Sequence, residues 1–387
     1  MSPHPSSAPL RTAVVGTGGI ARSSHLPALQ ELAGEGRVEI VAAVDVDADA
    51  ARAFADSAGI PYAGTDLDGM LDQLRPDLVV LCTPPAVHRE QSVAALRAGA
   101  WVWCEKPPSP SLADHDAVTA EEKGDDAGPY ASIVFQHRFG SGARHVRRLL
   151  QEGAFGRPLV AHCQTTWYRD QAYYAVPWRG RWATEGGGPA MGHGIHQTDL
   201  LLDLMGEWSE VRGMAARLVH DVETEDVSTA QVRFASGAVA TVVNSVLSPD
   251  EVSRIRIDCE RATVELTHLY GYRNADWRIT PAPGVPAEAV EEWSNFGTDE
   301  PSSHLAQLRS LVDDITAGRR HPTSGPGGRR TLEFITALYK SAFTDTPVRA
   351  GEIGPGDPYY TELHGGAPDW APAGLGTPAT PGKEEHA

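Results

Sequence analysis

The chain has 387 residues, of which 41% are hydrophobic and 22% charged, as is typical of a globular protein with about two domains. Its 33 basic and 51 acidic residues give a formal net charge of −18, which disfavours nucleic acid and anionic lipid as partners. No apolar run reaches the ~20 residues of a membrane helix, and residues 1–10 lack the apolar core of a signal peptide. We therefore expect a cytoplasmic protein with a small-molecule substrate and no membrane partner.

The first third of the chain alternates short β-rich runs with helical stretches, which predicts a parallel sheet covered by helices. The predicted strands are 12–15, 38–44, 78–82, 101–104 and 132–135. The predicted helices are 19–32, a segment capped by Asp47 and ended by Gly59, and 88–98. This order is that of a Rossmann domain, a doubly wound parallel α/β sheet.

The middle of the chain has longer alternating strands between residues 159 and 266, for example 228–234 and 238–246. Ser236-Gly237 between those two runs is a hairpin signal, so we expect a large, mainly antiparallel sheet. One helix interrupts it at 195–205, and two more follow at 303–317 and 329–343, where they can pack back on the first domain. The expected division is a disordered 1–10, a dinucleotide-binding 11–136, a substrate-binding and oligomerisation domain 137–366, and a disordered 367–387.

A glycine-rich turn follows the first predicted strand and opens the first helix. Gly16, Thr17, Gly18, Gly19, Ile20 and Ala21 match the G-x-G-x-x-A pattern of a loop that cradles a pyrophosphate. Glycines also end strands for plain turn reasons, but the strand–loop–helix context favours the dinucleotide interpretation. Asp45 ends the next strand, where a carboxylate binds ribose hydroxyls and repels a 2′-phosphate, so we expect NAD in preference to NADP. A simple turn residue beside Asp47 is the alternative.

Lys106 lies in the run Glu105-Lys106-Pro107, at the carboxyl end of the strand 101–104. Ligands bind at this edge of open α/β sheets, and a lysine there, poor in water and near a positive nicotinamide, should have a lowered pKa. Such a lysine can hydrogen-bond a substrate hydroxyl and share in its proton transfer. The alternative is an exposed loop lysine.

The block 186–199, GGGPAMGHGIHQTD, leads through glycines into the helix 195–205. His196 and Asp199 are three residues apart and share a helix face, so the carboxylate can tune the imidazole as a base. A metal site using His193 and His196 lacks a further ligand at a recognisable spacing, and we expect no metal. A structural histidine is the stronger alternative for either residue. The four cysteines are scattered singly, which predicts free, buried thiols at Cys82, Cys104, Cys163 and Cys259.

Aromatic residues and arginines precede this block, among them Tyr174, Trp178 and Arg179. Aromatic rings stack on the C–H faces of sugars, and arginine binds carboxylate or phosphate groups. We therefore expect a polyhydroxylated substrate, with an anionic group as a further option. Aromatic packing at a subunit contact is the alternative.

From about residue 11 to 366 the chain resembles the glucose–fructose oxidoreductase/inositol dehydrogenase (Gfo/Idh/MocA) family. The motifs that carry the resemblance are GTGGIA at Gly16, CTPPAVH at Cys82, EKP at Glu105, QHRF at Gln136 and GGG…GIHQTD. The resemblance implies a Rossmann domain followed by a large open sheet that forms the substrate wall and the interface of a dimer or tetramer. It implies NAD(P)-dependent hydride transfer between nicotinamide C4 and a secondary alcohol or ketone carbon of a sugar, sugar derivative or cyclitol.

The resemblance also implies residue roles. Lys106 and His196 would be catalytic, Glu105 and His88 would contact the nicotinamide ribose, and Thr83 and Pro84 would line the cofactor edge. The substrate-binding set would be Arg138, Tyr174, Trp178, Arg179, His193 and Asp199. The bond before Pro107 would be cis.

One departure from the family concerns the proton path. Many relatives carry aspartate four residues before the histidine, where this chain has Gly192. Either His193 or Asp199 takes the place of this aspartate, or the proton relay is simpler. The missing aspartate also puts simple inositol dehydrogenase activity in question. Two other functions stay open: redox-neutral, NAD-dependent glycoside cleavage, and a non-catalytic cofactor-sensing regulator. The joint presence of Lys106 and His196 favours chemistry.

Overall fold

The computed structural model describes residues 8–122, 124 and 128–366. Its first half is a six-stranded sheet in the order β3-β2-β1-β4-β5-β6, and every neighbouring pair is parallel. The strands are β1 (Leu10–Val15), β2 (Val38–Val44), β3 (Tyr62–Gly64), β4 (Leu78–Leu81), β5 (Trp101–Cys104) and β6 (Ala131–Ile133). The predicted doubly wound parallel sheet is confirmed.

Two of the α-helices between these strands were not predicted from the sequence. A π-helical turn (Ala21–His25) runs into α1 (Leu26–Gly34), and the helices after it are α2 (Ala48–Ala58), α3 (Leu67–Leu74), α4 (His88–Arg97) and α5 (Leu112–Ala120). Asp47 caps α2 by accepting from the N–H groups of Asp49 and Ala50, and Gly59 ends α2 with φ +66°. Strand β3 and helices α3 and α5 were missed because short elements with mixed composition give weak periodic signals.

The second half is an eight-stranded sheet in the order β13-β12-β11-β7-β10-β9-β8-β14. Its strands are β7 (Pro158–Tyr168), β8 (Trp208–Ala216), β9 (Val227–Phe234), β10 (Val239–Ser245), β11 (Leu247–Cys259), β12 (Ala262–His268), β13 (Trp277–Pro281) and β14 (Val348–Arg349). All neighbours are antiparallel except β10 and β7. The hairpin turn between β9 and β10 has Gly237 at φ +89°, as Ser236-Gly237 predicted.

Eight α-helices accompany this sheet among the described residues. They are α6 (Ser141–Gln151), α7 (Trp182–Glu185), α8 (Pro189–Gly192), α9 (Ile195–Met205), α10 (Ala287–Ser294), α11 (His304–Thr316), α12 (Pro326–Thr344) and α13 (Pro358–Thr361). The bounds of α9 are those predicted. Helix α11 packs back on the first sheet, where Leu308, Leu311 and Val312 join the core of β1 and α1. Helix α12 lies mainly against β8, and its N-terminal end also contacts α5 of the first half, where Arg329 pairs with Asp116.

Several expectations concern the chain ends and the cysteines. Leu10 begins β1 and is therefore not disordered, because it pairs with Val38 of β2. The tail 367–387 lies outside the described residues. Three cysteines are free and buried, whereas Cys259 is only half-buried at the end of β11. Within the described part of the chain, no helix has the length and apolar character to cross a membrane.

Candidate active site

The glycine loop joins β1 to the first helix at the carboxyl edge of the first sheet. Gly16 has φ +85°, and a Cβ there would lie 2.8 Å from the carbonyl carbon of Cys82, so only glycine fits. A Cβ at Gly18 or Gly19 would meet nothing within 4 Å, so the space over these two exposed residues is open. The helix behind them begins with N–H groups that have no intrahelical acceptor, and such groups favour an anion.

Asp45 stands at the end of β2, beside this loop. Its Oδ2 accepts hydrogen bonds from the N–H and Oγ1 of Thr17, at 2.7 and 3.0 Å, and its Oδ1 accepts from the N–H of Asp47. Burial raises the pKa of Asp45, but these bonds outweigh it and hold the pKa below its usual value. The carboxylate is therefore ionised at neutral pH. Thr17 orients Asp45, so its own N–H is not free for a phosphate.

These residues fit NAD as a bound cofactor. The open space over Gly18 and Gly19 can take a pyrophosphate, and the ionised Asp45 can accept ribose hydroxyls at the adjacent strand end. Thr83 follows β4 and contacts the same loop, because its Cγ2 would lie 2.9 Å from a Cβ at Gly16. Pro84 beside it is exposed. Thr83 thus borders the loop, and a place for Thr83 and Pro84 at the cofactor edge stays a prediction.

His88 was expected at the nicotinamide ribose, and its position corrects that expectation. The side chain is fully buried, with Nδ1 2.9 Å from the carbonyl oxygen of Pro107 and Nε2 2.8 Å from that of Thr83. Since both ring nitrogens face backbone oxygens, neither can bind a ribose. His88 instead ties the segment after β4 to the segment after β5.

Glu105 was also expected at the ribose, but its carboxylate is bonded inside the protein. Oε1 lies 2.7 Å from Nε2 of His25 and 3.0 Å from Nε2 of His304, and Oε2 accepts from the N–H of Lys106. All three side chains are buried. Burial raises the pKa of Glu105, but the two histidines outweigh it and hold that pKa well below its usual value.

The His25–Glu105–His304 cluster offers three potential metal ligands. Ligand atoms that surround zinc at ~2.0–2.1 Å in tetrahedral geometry stand about 3.3 Å apart. The nitrogen–oxygen distances of 2.7 and 3.0 Å are shorter, and they are those of direct hydrogen bonds. We therefore interpret the cluster as a hydrogen-bonded unit that connects the first helix, the end of β5 and α11.

Lys106 follows Glu105 directly, and its bond to Pro107 is cis. Its Nζ donates to the carbonyl oxygen of Gly192 at 2.9 Å, so the ammonium reaches across from the first sheet to the glycine block of the second half. Burial lowers the pKa of Lys106, against the raising effect of Glu105 and Glu185. Lys106 is thus not an exposed loop lysine, and its lowered pKa agrees with the sequence-based prediction.

His196 lies in the first turn of α9, close to the Lys106 ammonium. Only 4% of its surface is exposed, and neither ring nitrogen has a hydrogen-bond partner among the described residues. Burial, with the charge of Lys106 added, lowers the pKa of His196 well below its usual value. The same two causes act on His193, whose Nε2 lies 3.4 Å from the hydroxyl of Tyr173. The structure therefore brings Lys106, His193 and His196 together, with both imidazoles neutral.

Two further histidines and a tyrosine extend this site, and the sequence reasoning did not identify them. The ring of His137 lies 5.1 Å from that of His196 and 5.3 Å from that of His268, and Tyr270 packs on the same cluster. Burial lowers the pKa of His268 to about 4. Within QHRF, the sequence reasoning selected Arg138, although the neighbouring His137 is the residue that reaches His196.

Arg138 and Asp199 were expected to bind substrate, and their contacts correct that expectation. They form a bidentate ion pair whose side chains are 2% and 1% exposed, with Nε of Arg138 2.6 Å from Oδ2 of Asp199. Thr331 adds a hydrogen bond to the carboxylate at 2.8 Å. Because its charge is bonded to Arg138, Asp199 is not the partner of His196. The pair joins the segment after β6 to α9 and α12.

The aromatic and basic segment before the glycine block lies beside the histidines. The Arg179 guanidinium stacks 3.8 Å over the ring of Tyr173 and 5.3 Å from that of Trp178, and its Nε has no partner in the described chain. Trp178 is 39% exposed, and the ring of Tyr174 lies 4.7 Å from that of His220. The site therefore combines a nucleotide cradle, neutral bases beside a lysine, and an aromatic wall that holds the Arg179 guanidinium.

Such an arrangement defines an NAD-binding oxidoreductase, and comparisons with known proteins agree. Residues 10–127 match the model of the oxidoreductase family with an NAD-binding Rossmann fold, and residues 143–265 match the GFO/IDH/MocA C-terminal domain. Together the two matches span most of the chain. The chain belongs to the GFO/IDH/MocA family of oxidoreductases.

Relatives of known activity match the chain over most of their lengths. The D-glucoside 3-dehydrogenase of Escherichia coli K12 is 25% identical over 369 residues, which are 88% of this chain and 98% of the relative. The myo-inositol 2-dehydrogenase of Thermotoga maritima is 26% identical over 330 residues, 80% and 90% of the two chains. The WlbA dehydrogenase of Chromobacterium violaceum, solved with NADH and UDP-GlcNAcA, is 26% identical with a TM-score of 0.77, covering 92% of this chain and 100% of that one.

Proposed function

We propose that the protein transfers a hydride between NAD and a secondary alcohol or ketone carbon of a sugar, sugar derivative or cyclitol. The observation that carries the proposal is the arrangement of Lys106 and His196. The ammonium reaches the carbonyl of Gly192, four residues before the buried, unpartnered imidazole of His196 in the same block. The named activities of the D-glucoside and myo-inositol relatives support this substrate class.

In the direction of oxidation, Lys106 and His196 hold the substrate hydroxyl and take up its proton. Neutral His196 accepts the proton, and the Lys106 ammonium donates a hydrogen bond to the oxygen as the carbonyl forms. The nicotinamide ring supplies, when bound, the carbon that accepts the hydride from the carbinol carbon. Burial of the two side chains keeps bulk water from competing with this proton transfer.

The outer part of the substrate would lie against the aromatic and basic segment 173–181. A cavity of about 480 Å³ opens there, and its charged lining residues are three arginines and two acids: Arg179, Arg181, Arg217, Asp221 and Glu223. Arginine recognises carboxylate and phosphate in a fixed planar geometry. We therefore include polyhydroxylated substrates with an anionic group in the proposal.

A panel of sugars, cyclitols, their anionic derivatives and their keto forms, followed by NADH absorbance, tests this function. We expect turnover with at least one member, and we expect Arg179→Ala to raise its KM by about tenfold or more if the substrate is anionic. Arg212→Ala is the matched control, because Arg212 is exposed on β8 and does not line the cavity. An unchanged KM in Arg179→Ala removes this residue from the substrate wall.

Asp45 is expected to set the preference for NAD. Asp45→Asn should weaken NAD binding by about tenfold and narrow the preference over NADP, since an amide neither accepts ribose hydroxyls as strongly nor repels a 2′-phosphate. Fluorescence titration with both cofactors measures this. Asp47→Asn is the control, because asparagine also caps helices well and should leave the preference unchanged. Tighter NADP binding by the unaltered protein would contradict the assignment.

Two further expectations from the sequence remain proposals, a cytoplasmic location and a homo-oligomer. The oligomer is supported by exposed apolar side chains on one face of the second sheet, at Val160, Met214 and Val239. Light scattering on the purified protein measures its oligomeric state.

We also propose a domain boundary near residue 136, because β6 ends at Ile133 and all later strands belong to the second sheet.

A further inference from the structure

Glu185 is a buried carboxylate that the sequence reasoning did not single out. It is the last residue of α7, directly before the three glycines, and only 8% of its surface is exposed. Gly186 after it has φ +82° and ends the helix, and the N–H of Gly180 donates to Oε2 of Glu185 at 2.6 Å. These two constraints fix the direction of the carboxylate.

The other oxygen of Glu185 lies next to the backbone of Gly192. A Cβ at position 192 would stand 3.4 Å from Oε1, and no other atom beyond its chain neighbours and its own helix backbone lies within 4 Å among the described residues. The carbonyl oxygen of the same Gly192 accepts the hydrogen bond from Lys106 Nζ at 2.9 Å. A buried carboxylate and a buried ammonium thus meet on either side of one residue, four positions before His196.

The residues named earlier as substitutes for a carboxylate at position 192 do not supply one. Asp199 is bonded to Arg138, and His193 is held neutral by burial and by the charge of Lys106. Glu185 has no such competing ion pair among the described residues. Burial raises the pKa of Glu185 above its usual value, although Gly180, Arg179 and Lys106 act to lower it.

We propose that Glu185 supplies the negative charge of the proton-transfer centre, from a neighbouring helix, in the place of the side chain that Gly192 lacks. Glu185 is a positioning residue: it acts through Lys106, by keeping the ammonium protonated and aimed at the substrate oxygen. The charged groups around Lys106 are then Glu105 and Glu185, with His193, His196 and His137 as the neutral bases. The inference rests on the proposed oxidoreductase site and deepens it.

Glu185→Gln tests the role of the charge, because the amide oxygen can still accept from Gly180. We expect kcat to fall about tenfold or more and the limb of the pH–rate profile that reports Lys106 to move to lower pH, since a displaced pKa of one unit changes the ionised fraction tenfold. NAD binding and thermal midpoint should stay close to those of the unaltered protein. A kcat and pH profile equal to those of the unaltered protein would overturn the proposal.

A relocation experiment separates charge from structure. Gly192 has no positive φ, so other residues fit its backbone, and removing Glu185 clears the one neighbour of the new side chain. We expect Glu185→Ala to lose activity. The double variant, Glu185→Ala with Gly192→Asp, should have a kcat at least tenfold higher than that of Glu185→Ala alone. The neutral control, Glu185→Ala with Gly192→Asn, should not recover. Equal recovery by aspartate and asparagine, or none by either, contradicts a role for the charge.

A substrate-free measurement distinguishes this inference from the proposed substrate class. The rate of Lys106 acetylation by acetic anhydride, read by peptide mass spectrometry against pH, reports the ionisation of its amine. In Glu185→Gln the amine should react as if its pKa were lower, even if no sugar or cyclitol is turned over. An unchanged reaction profile overturns the role of Glu185, whereas a shifted profile with an inactive panel overturns only the choice of substrate.

Discussion

Lys106→Ala is expected to lower kcat by about 10²- to 10⁴-fold, the usual contribution of a positioned acid–base group, and to leave NAD binding nearly intact. The reason is geometric: Nζ of Lys106 reaches the glycine block through its hydrogen bond to the carbonyl oxygen of Gly192. The glycine loop and Asp45 make no hydrogen bond to the Lys106 side chain. Single-turnover kinetics and NAD titration on the same preparation measure the two effects separately.

Lys340→Met is the matched control for Lys106. Lys340 lies on α12, where it is paired with Glu352 and Asp357, and its removal should leave kcat within twofold. Full turnover by Lys106→Ala would remove the lysine from the reaction. Loss of NAD binding together with turnover would instead mean that Lys106 organises the cofactor site.

Arg138→Ala is expected to destabilise the fold by about 3–5 kcal/mol, because it leaves the carboxylate of Asp199 buried and unpaired. The pair is almost wholly removed from solvent, and Asp199 receives one further bond, from Thr331. Burial lowers the pKa of Arg138, but Asp199 outweighs it and raises that pKa above its usual value, so the guanidinium stays charged; burial raises the pKa of Asp199, against the lowering effect of Arg138 and Thr331. Denaturant unfolding followed by circular dichroism measures the loss.

An exposed ion pair on α6 provides the comparison. Arg148 and Glu152 are about half exposed, and Arg148→Ala should change the free energy of unfolding by less than about 1 kcal/mol. If Arg138 were a substrate ligand, its removal would raise KM and leave stability unchanged. That pattern would reverse the correction made above.

The parts of the molecule that the sequence predicted well have local causes. Strand β2, helix α9 and the Asp47 cap follow from periodicity and cap chemistry, which neighbouring residues determine. The position of Gly16 follows from the same kind of signal, because a tight turn after a buried strand requires it.

The parts that were missed depend on contacts between residues distant in the chain. Along the chain, Glu105 is 80 positions from His25 and 199 positions from His304. No spacing pattern in the sequence indicates that these side chains form hydrogen bonds. Asp199 was assigned to His196 by helical spacing, although Arg138, 61 positions away, offers the stronger bond. A helix face limits which residues can meet, but opposite charge and burial decide which of them do.

The cluster of Glu105 with His25 and His304 has a consequence for how the first domain is made. Its third member, and the apolar face of α11 that covers α1, come from residues 304–315, long after β6 has been synthesised. A fragment ending at residue 136 would leave Leu29, Trp103 and their neighbours uncovered and one bond to Glu105 unmade. We therefore expect the nucleotide-binding half to be completed only when the C-terminal part of the chain has left the ribosome, and we expect a fragment of that half to fold poorly when expressed alone.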